Sequence, residues 1–170
     1  MQSRLEYDKA APGAMQALLA LQKYVEESGL ERSLLELIKT RASQINGCAY
    51  CIDMHAKDAR ALGESEQRLY ALPAWRETPF YTERERAALA WTEAITLISQ
   101  GHAPDEVFEQ ARAQFTEEDL VNLTLAIIAI NGWNRLAIGF REVPGTYRGQ
   151  GGSNKPGRPA VDSRLPRTTI

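Results

Sequence analysis

Both cysteines of this chain and one of its two histidines lie in the eight-residue stretch CAYCIDMH, residues 48–55. Cysteines placed at random in a chain of 170 residues fall three apart in roughly 1% of arrangements, so the spacing is informative. On a helix, Cys48, Cys51 and His55 lie on one face. The unpaired N–H groups and the dipole of the first helical turn stabilise a thiolate there. The stretch therefore favours a reactive thiolate and a reversible disulfide.

Other uses of the same residues stay open. A structural zinc ion takes four ligands, but this stretch offers three, and His102 stands alone elsewhere in the chain. Haem attachment requires a histidine directly after the second cysteine, whereas His55 comes four residues after Cys51. Buried cysteines also pack simply as small apolar side chains. Among these alternatives we favour redox chemistry, with no metal and no cofactor.

Glu36 is the candidate proton carrier of the site. A thiol that attacks a peroxide needs a base and then a proton donor, and His55, one turn after Cys51, is suited to one of these roles. Glu36 lies between Leu35 and Leu37 on an apolar helix that leads into the cysteines. We expect burial to raise its pKa, so that it exchanges protons near neutrality. A solvated position on an amphipathic helix is the alternative for Glu36, and a purely structural role is the alternative for His55.

The elements that position these residues are predicted to be helices, because helical periodicity runs through almost the whole chain and no stretch alternates like a strand. The fold class is therefore all-α, a single-domain helical bundle. Thr82 and Thr116 are expected N-caps, and 72–79 is expected to be turn-like. The predicted helices cover residues 12–28, 31–45, 48–62, 65–71, 83–99, 104–115, 117–130 and 133–140.

Two segments suggest an internal helical repeat. LLELIKTRASQING (34–47) and DLVNLTLAIIAING (119–132) align without gaps and end in the same Ile-Asn-Gly, where each helix is predicted to break. Apolar residues in the second copy replace the polar or reactive ones of the first: Val121, Trp133, Leu136 and Phe140 stand for Glu36, Cys48, Cys51 and His55. This pattern is what one working site and one structural copy would produce.

Length and composition fit one ordinary globular domain. We expect a helical domain over 1–145 and a Gly-, Pro- and Arg-rich C-terminal arm or disordered tail over 146–170. A net charge of −2 with mixed signs leaves no basic surface for nucleic acid or for an anionic membrane. The longest apolar run is far shorter than a membrane span, and the first residues carry no apolar signal segment. A cytoplasmic location is expected.

A specific family resemblance rests on the residues quoted above. Glu36, Cys48, Cys51 and His55, within ELIKTRASQINGCAYCIDMHAKDARALG, resemble the alkylhydroperoxidase D core of the carboxymuconolactone decarboxylase-like superfamily. The glutamate stands twelve residues before the first cysteine, and the histidine four residues after the second. The stretches RERAALAWTEAIT and INGWNRL resemble the peroxidase-related branch of the family. The resemblance covers roughly residues 5–145.

The resemblance implies an alkylhydroperoxidase D-like helical fold and a thiol-dependent peroxidase of peroxiredoxin type. Such an enzyme reduces organic hydroperoxides or hydrogen peroxide to alcohols or water. By the family pattern Cys51 attacks the peroxide, Cys48 resolves the sulfenic acid as a disulfide, and Glu36 and His55 relay protons. Tyr50 departs from the pattern, since some members carry histidine there. The cysteine pair argues against lactone decarboxylation.

The resemblance also implies partners. These are a hydroperoxide substrate, a dithiol electron donor, for which a lipoyl group is one candidate, and further copies of the chain in a homo-oligomer, a trimer or hexamer. A thiol–disulfide oxidoreductase or redox-sensing oligomer without efficient peroxide turnover is the alternative. A non-catalytic helical oligomer is the third hypothesis.

Overall fold

The computed structural model describes residues 2–149, and within them the regular structure is helical, without strands. The all-α prediction is therefore confirmed. The α-helices are α1 (Tyr7–Ala10), α2 (Pro12–Glu26), α3 (Arg32–Asn46), α4 (Ala49–Ala61), α5 (Glu66–Ala71), α6 (Glu83–Thr96), α7 (Ile98–Gly101), α8 (Asp105–Arg112) and α9 (Glu117–Phe140), with a 3₁₀ helix at Leu72–Glu77.

Helix α3 lies at the centre of the bundle and packs against α4, α6 and α9, while α2 packs on α9 and α8 on α6. The apolar side chains of α3 lie on two sides of this helix. Leu34, Leu35 and Ile38 join the main core, and Leu37 joins a second cluster with Trp75. Glu36, between them, lies on a helix that is otherwise largely buried. Central packing of this helix is what holds the candidate site residue in place.

The helix starts follow local capping signals. Thr82 forms a capping box with Glu85 at the start of α6, as predicted. Thr116 Oγ1 accepts a hydrogen bond from the backbone N–H of Asp119 at the start of α9. Differences from prediction are modest: α1 was not expected, the predicted helix 83–99 divides into α6 and α7, and the turn-like segment contains the 3₁₀ helix Leu72–Glu77.

The predicted break at Asn131-Gly132 is wrong, because α9 runs without interruption from Glu117 to Phe140. Asn131 does not end the helix: its Nδ2 donates to the carbonyl oxygen of Ile127, one turn earlier, and to Thr96 Oγ1 on α6. Buried residues continue on α9 on both sides of this point, with Ile127 and Ile130 before it and Asn134 and Ala137 after it. Their packing outweighs the propensity cost of one glycine, about 1 kcal/mol.

By length and composition α9 is also a candidate membrane span, with 24 residues and a mean hydropathy of 1.3 in its most apolar window. The expectation that no segment approaches the length of a span therefore does not hold for this helix. Its apolar composition is explained by packing in this fold, since α9 contacts α2, α3 and α6 and buries Leu123, Ile127 and Ile130. The core helix of a helical bundle is often as long and as apolar as a membrane span.

The two copies of the proposed repeat have different backbones. In the first copy α3 ends and α4 begins within two residues, whereas the second copy lies within the continuous helix α9. The equivalent asparagines nevertheless meet, because Asn46 Nδ2 donates to Asn131 Oδ1 over 2.9 Å. The helix break is thus confined to the copy that carries the cysteines.

The C-terminal arm predicted for 146–170 lies mostly outside the described residues, which end at Gly149. The part that is described packs against α4. Tyr147 donates a hydrogen bond from its hydroxyl to the Asp58 carboxylate, and Lys57 Nζ donates to the Tyr147 carbonyl. Residues 146–149 thus contact the helix that carries the cysteine pair.

Candidate active site

A single glycine turns the chain from α3 into α4. Gly47 has φ 70° and ψ 30°, the left-handed conformation that glycine adopts without a Cβ penalty. The backbone N–H of Cys48 then donates to the carbonyl of Ser43, and that of Gly47 to Gln44, which is the Schellman arrangement. Cys48 is the N-cap of α4, and its sulfur accepts from the backbone N–H of Cys51 at 3.4 Å. The predicted start of this helix is correct to one residue.

Cys48 and Cys51 are joined by a disulfide, with their Cα atoms 5.4 Å apart. Both residues are only 1% exposed, and they pack against Ala137 of α9 and the ring of Tyr50. Their depth limits which molecules reach the sulfur atoms. The cysteine pair is therefore not presented at the surface of the single chain.

A hydrogen-bonded triad joins α3 to α4. Nδ1 of His55 lies 2.7 Å from Oε2 of Glu36, and Lys39 Nζ donates to Oε1 of Glu36 at 2.9 Å. His55 and Lys39 are both buried, and Glu36 is nearly so. The structure therefore brings Glu36 and His55 together, as the resemblance implies, and adds Lys39, which the sequence analysis did not select. The signal for Lys39 was its position three residues after Glu36 on one helix face.

The prediction that the pKa of Glu36 is raised is wrong. Burial is the largest influence and does raise it, but the hydrogen bond and charge of His55, together with those of Lys39, outweigh burial and hold the pKa of Glu36 below its ordinary value. Glu36 is therefore a carboxylate at neutral pH. It is suited to orienting His55 and to balancing a positive imidazolium, and it is not itself the group that exchanges protons near pH 7.

The contact with Glu36 also selects the tautomer of His55. Because an ionised carboxylate accepts hydrogen bonds only, Nδ1 of the imidazole carries a hydrogen and donates it to Glu36. In the neutral ring Nε2 is then the acceptor. This nitrogen is buried, and no group among residues 2–149 forms a hydrogen bond with it. The arrangement of a base oriented by a carboxylate is the one that activates a nucleophile in many enzymes.

Two cavities meet at this histidine. An apolar one of about 200 Å³ is lined by Cys51, His55, Tyr50 and Trp133, among others. A more polar one of about 420 Å³ is lined by Glu36, His55 and residues around Tyr147. His55 thus lies between a compartment that contains the reactive sulfur and a compartment through which protons can exchange with water.

Tyr50, the departure from the family pattern, stands in the wall of the apolar cavity. Burial raises the pKa of its phenol, and the nearby carboxylates of Glu142 and Asp53 raise it further. The hydroxyl is therefore protonated at neutral pH. It cannot replace a histidine as a base.

A network of amide groups holds the helix break against α9. Asn46 Nδ2 donates to Oδ1 of both Asn131 and Asn134, at 2.9 Å and 2.8 Å. Asn134 Nδ2 in turn donates to Ser43 Oγ at 3.0 Å, in the last turn of α3. Buried amide networks stabilise a fold only when their polar groups are paired, and the side-chain nitrogens of all three asparagines donate hydrogen bonds. The repeated Ile-Asn-Gly predicts that Asn46 and Asn131 end helices, which is correct for Asn46 and wrong for Asn131.

One group of ligand-type atoms within residues 2–149 could in principle hold a metal ion. Atoms of Glu36, His55 and Asp58 lie within 4.8 Å of one another. The hydrogen-bond pattern disfavours such an ion, since Lys39 and His55 already occupy the two oxygens of Glu36 and Lys39 supplies the positive charge. Asp58 is likewise engaged by Tyr147. The absence of a metal from the mechanism remains a prediction.

The fold and the site together define an all-helical protein with a buried cysteine pair beside a carboxylate–imidazole pair. Residues 12–94 match the carboxymuconolactone decarboxylase family model. The uncharacterized protein YdfG of Bacillus subtilis is 48% identical over 138 residues, which are 81% of this chain and 94% of YdfG. The chain belongs to the alkylhydroperoxidase D-like group of the carboxymuconolactone decarboxylase superfamily, as the resemblance predicted.

Solved structures agree with this assignment. A protein of unknown function from Agrobacterium tumefaciens, provisionally described as the antioxidant defence protein AhpD, is 52% identical with a TM-score of 0.82, covering 84% of this chain and 98% of that one. An uncharacterized peroxidase-related protein from Silicibacter sp. TM1040 is 25% identical with a TM-score of 0.68, covering 77% and 70%. Both similarities extend well beyond the cysteine stretch.

Proposed function

We propose that this protein is a thiol-dependent peroxidase that reduces hydroperoxides through a Cys48–Cys51 dithiol/disulfide cycle. The observation that carries the proposal is the unpartnered Nε2 of His55, which lines the same apolar cavity as Cys51 while Nδ1 is held by Glu36. A base with a free acceptor, next to a thiol in a cavity, is an arrangement that generates and uses a thiolate.

The reaction begins with the reduced pair. Nε2 of His55 takes the proton of the Cys51 thiol, and the Glu36 carboxylate stabilises the resulting imidazolium. The thiolate attacks the terminal oxygen of the hydroperoxide: an S–O bond forms, the O–O bond breaks, and the leaving alkoxide takes the proton back from His55. The products are an alcohol and a sulfenic acid on Cys51.

The Cys48 thiol then attacks the sulfur of Cys51 and water leaves, so the S–O bond is replaced by the disulfide. The structure has this paired form, and the N-cap position of Cys48 keeps its sulfur in contact with the first turn of α4. An external dithiol returns both residues to thiols and is itself oxidised. Lys39 supports the cycle through its contact with Glu36.

Burial of the pair supports peroxide chemistry over general thiol–disulfide exchange. Exchange requires a thiolate to reach a sulfur in line with the disulfide bond, and here both residues are 1% exposed. A slender dithiol on a flexible arm, such as a lipoyl group, suits this geometry better than the surface cysteine of a folded protein. The dithiol donor is part of the proposal.

Assembly into a homo-oligomer, a trimer or a hexamer, is also proposed. Helices α2 and α9 pack together and carry apolar side chains that are about half exposed in the single chain: Leu19, Tyr24, Val121, Ile128 and Ile138. Exposed apolar side chains concentrated on neighbouring elements are typical of surfaces that other chains cover. Trp91 is not part of this exposed surface, because it is buried in the main core.

Steady-state turnover tests the function. The reduced protein is given tert-butyl hydroperoxide with dihydrolipoamide as reductant, and peroxide loss is followed. We expect catalytic consumption that disappears in Cys51→Ser. A protein that reduces a model aromatic disulfide with the same reductant, but leaves the hydroperoxide intact, would be the thiol–disulfide oxidoreductase of the alternative.

A further inference from the structure

Within residues 2–149, two buried side-chain polar atoms have no hydrogen-bond partner: Nε2 of His55 and Nε1 of Trp133. Both residues line the apolar cavity of about 200 Å³ that also contains Cys51. A buried polar group without a partner costs about 1–3 kcal/mol, so such groups are few in folded proteins. Both atoms lie in one cavity beside Cys51, so a polar molecule that enters this cavity can pair them.

The other two indoles of the chain show the ordinary situation. Nε1 of Trp75 donates to Oε1 of Glu93 at 2.8 Å, and Nε1 of Trp91 donates to Oγ1 of Thr124 at 2.9 Å. Among residues 2–149 no acceptor forms a hydrogen bond with the Trp133 indole. Its neighbours in the cavity wall are mostly apolar, among them Ala126, Ala129, Ile130 and Ala137. The indole N–H is therefore left to whatever enters the cavity.

The two atoms differ in their chemistry. An indole N–H only donates, whereas Nε2 of His55, with Nδ1 engaged by Glu36, accepts in the neutral ring and donates once it has taken the Cys51 proton. The alkyl-bearing oxygen of a hydroperoxide carries lone pairs that accept. We propose that Trp133 is a substrate-binding residue, whose N–H donates to the alkyl-bearing oxygen of a small, uncharged organic hydroperoxide, the oxygen to which His55 returns its proton. This inference rests on the proposed peroxidase function and names the substrate class of the same site.

The role of Trp133 depends on where negative charge develops in the proposed step. As the Cys51 sulfur bonds to the terminal oxygen, the O–O bond breaks and negative charge grows on the alkyl-bearing oxygen until His55 returns the proton. A fixed N–H at that oxygen binds the transition state more strongly than the substrate, because the charge develops there. Trp133 supplies this donor and stays chemically unchanged.

The cavity also limits the substrate. Its volume of about 200 Å³ is below the ~300–1,000 Å³ of pockets that hold drug-sized ligands. Its wall is mostly apolar, and the ammonium group of Lys39, which also lines it, is already paired with Glu36, so burying a further charged group there is unfavourable. A short alkyl or single-ring aryl hydroperoxide meets both conditions, whereas a long-chain fatty acid hydroperoxide meets neither.

The main test removes only the donor. Trp133→Phe keeps a large ring and deletes the N–H, and Trp91→Phe is the matched control, since it deletes an indole N–H that is paired with Thr124 away from the cavity. The reduced proteins are mixed with cumene hydroperoxide in single turnover. We expect at least about a tenfold lower second-order rate constant for Trp133→Phe, because losing one donor to a developing oxyanion costs about 10²–10³-fold in other enzymes. Trp91→Phe should be close to wild type.

A second rate constant, that of Cys51 alkylation, distinguishes the loss of a substrate contact from a general distortion of the site. Alkylation of Cys51 by iodoacetamide needs the thiolate but no peroxide donor, so Trp133→Phe should leave it nearly unchanged. If alkylation falls as much as peroxide reactivity, Trp133 merely supports the structure and the proposal is wrong. Equal peroxide rates in Trp133→Phe and Trp91→Phe also overturn it, while the peroxidase function stands. A wild-type protein inert to all hydroperoxides refutes the function itself.

A measurement on the unmutated protein covers the case in which Trp133→Phe does not fold. With ¹⁵N-labelled tryptophan, titrating cumyl alcohol into the oxidised protein should shift the indole N–H resonance of Trp133 and leave those of Trp75 and Trp91 in place. A Trp133 resonance that stays still while the alcohol inhibits turnover would overturn the proposal. The wild type should also react faster with cumene hydroperoxide than with a long-chain fatty acid hydroperoxide, and the opposite order would contradict the substrate class.

Discussion

Oε2 of Glu36 lies 2.7 Å from Nδ1 of His55, and this contact joins residues that are nineteen positions apart on α3 and α4. One carboxylate oxygen receives the imidazole hydrogen and the other receives the Lys39 ammonium. The result is a base whose free nitrogen lines the cavity of Cys51.

Replacing Glu36 by glutamine should lower the single-turnover rate with hydroperoxide at least about tenfold. Glutamine keeps the size and can still accept from Nδ1, but it no longer balances the imidazolium, and general acid–base catalysis is worth about 10²–10⁴-fold. Glu27→Gln, an exposed position at the end of α2, is the control. An unchanged rate in a folded Glu36→Gln protein would remove Glu36 from the mechanism.

Acid should weaken the folded protein in part through Glu36. Its pKa is lower in the folded chain than its ordinary value near 4.5, so its contribution to stability is present above that value and is lost as the pH falls through the folded pKa. The free-energy difference between wild type and Glu36→Gln, from urea unfolding at a series of pH values, should therefore shrink below about pH 4.5. A difference that grows on acidification would mean that the pKa is raised.

The two cysteines should differ in role. Cys51→Ser should not react with hydroperoxide, because Cys51 shares the cavity with the base. Cys48→Ser should react once and stop at a sulfenic acid on Cys51, which a dimedone reagent traps and peptide mass spectrometry locates. Dimedone adduct on Cys48 in the Cys51→Ser protein would reverse the assigned order.

The chain should assemble with itself. Light scattering at micromolar concentration is expected to give three or six times the chain mass of 19.0 kDa. Ile128→Lys, which places a charge among the exposed apolar side chains of α9, should weaken the assembly without unfolding the chain. A stable wild-type monomer would contradict the proposal.

Local signals in the sequence predict much of the site. Asn46-Gly47 ends α3 with a left-handed glycine, and Cys48 caps α4, because both depend on residues that are adjacent in the chain. The contact between Glu36 and His55 follows once two helices are joined by so short a turn. The family resemblance supplies the same pair.

Other features depend on tertiary contacts that no local pattern reveals. Asn131-Gly132 resembles a helix end, yet Thr96 on another helix accepts one hydrogen of the Asn131 amide, and α9 continues. Burial alone predicts a raised pKa for Glu36, whereas the contacts with His55 and Lys39, which only the fold brings about, lower it. The missing partner of the Trp133 indole, too, is visible only in the folded chain.

The most direct measurement is the stoichiometry of a single turnover. Fully reduced protein is mixed with one equivalent of cumene hydroperoxide without a reductant, and thiols, cumyl alcohol and disulfide are counted. The account predicts two thiols lost and one alcohol formed per chain, with the oxidised peptides showing Cys48 joined to Cys51 of the same chain. Intact hydroperoxide after prolonged mixing, or thiol loss without alcohol, would contradict it.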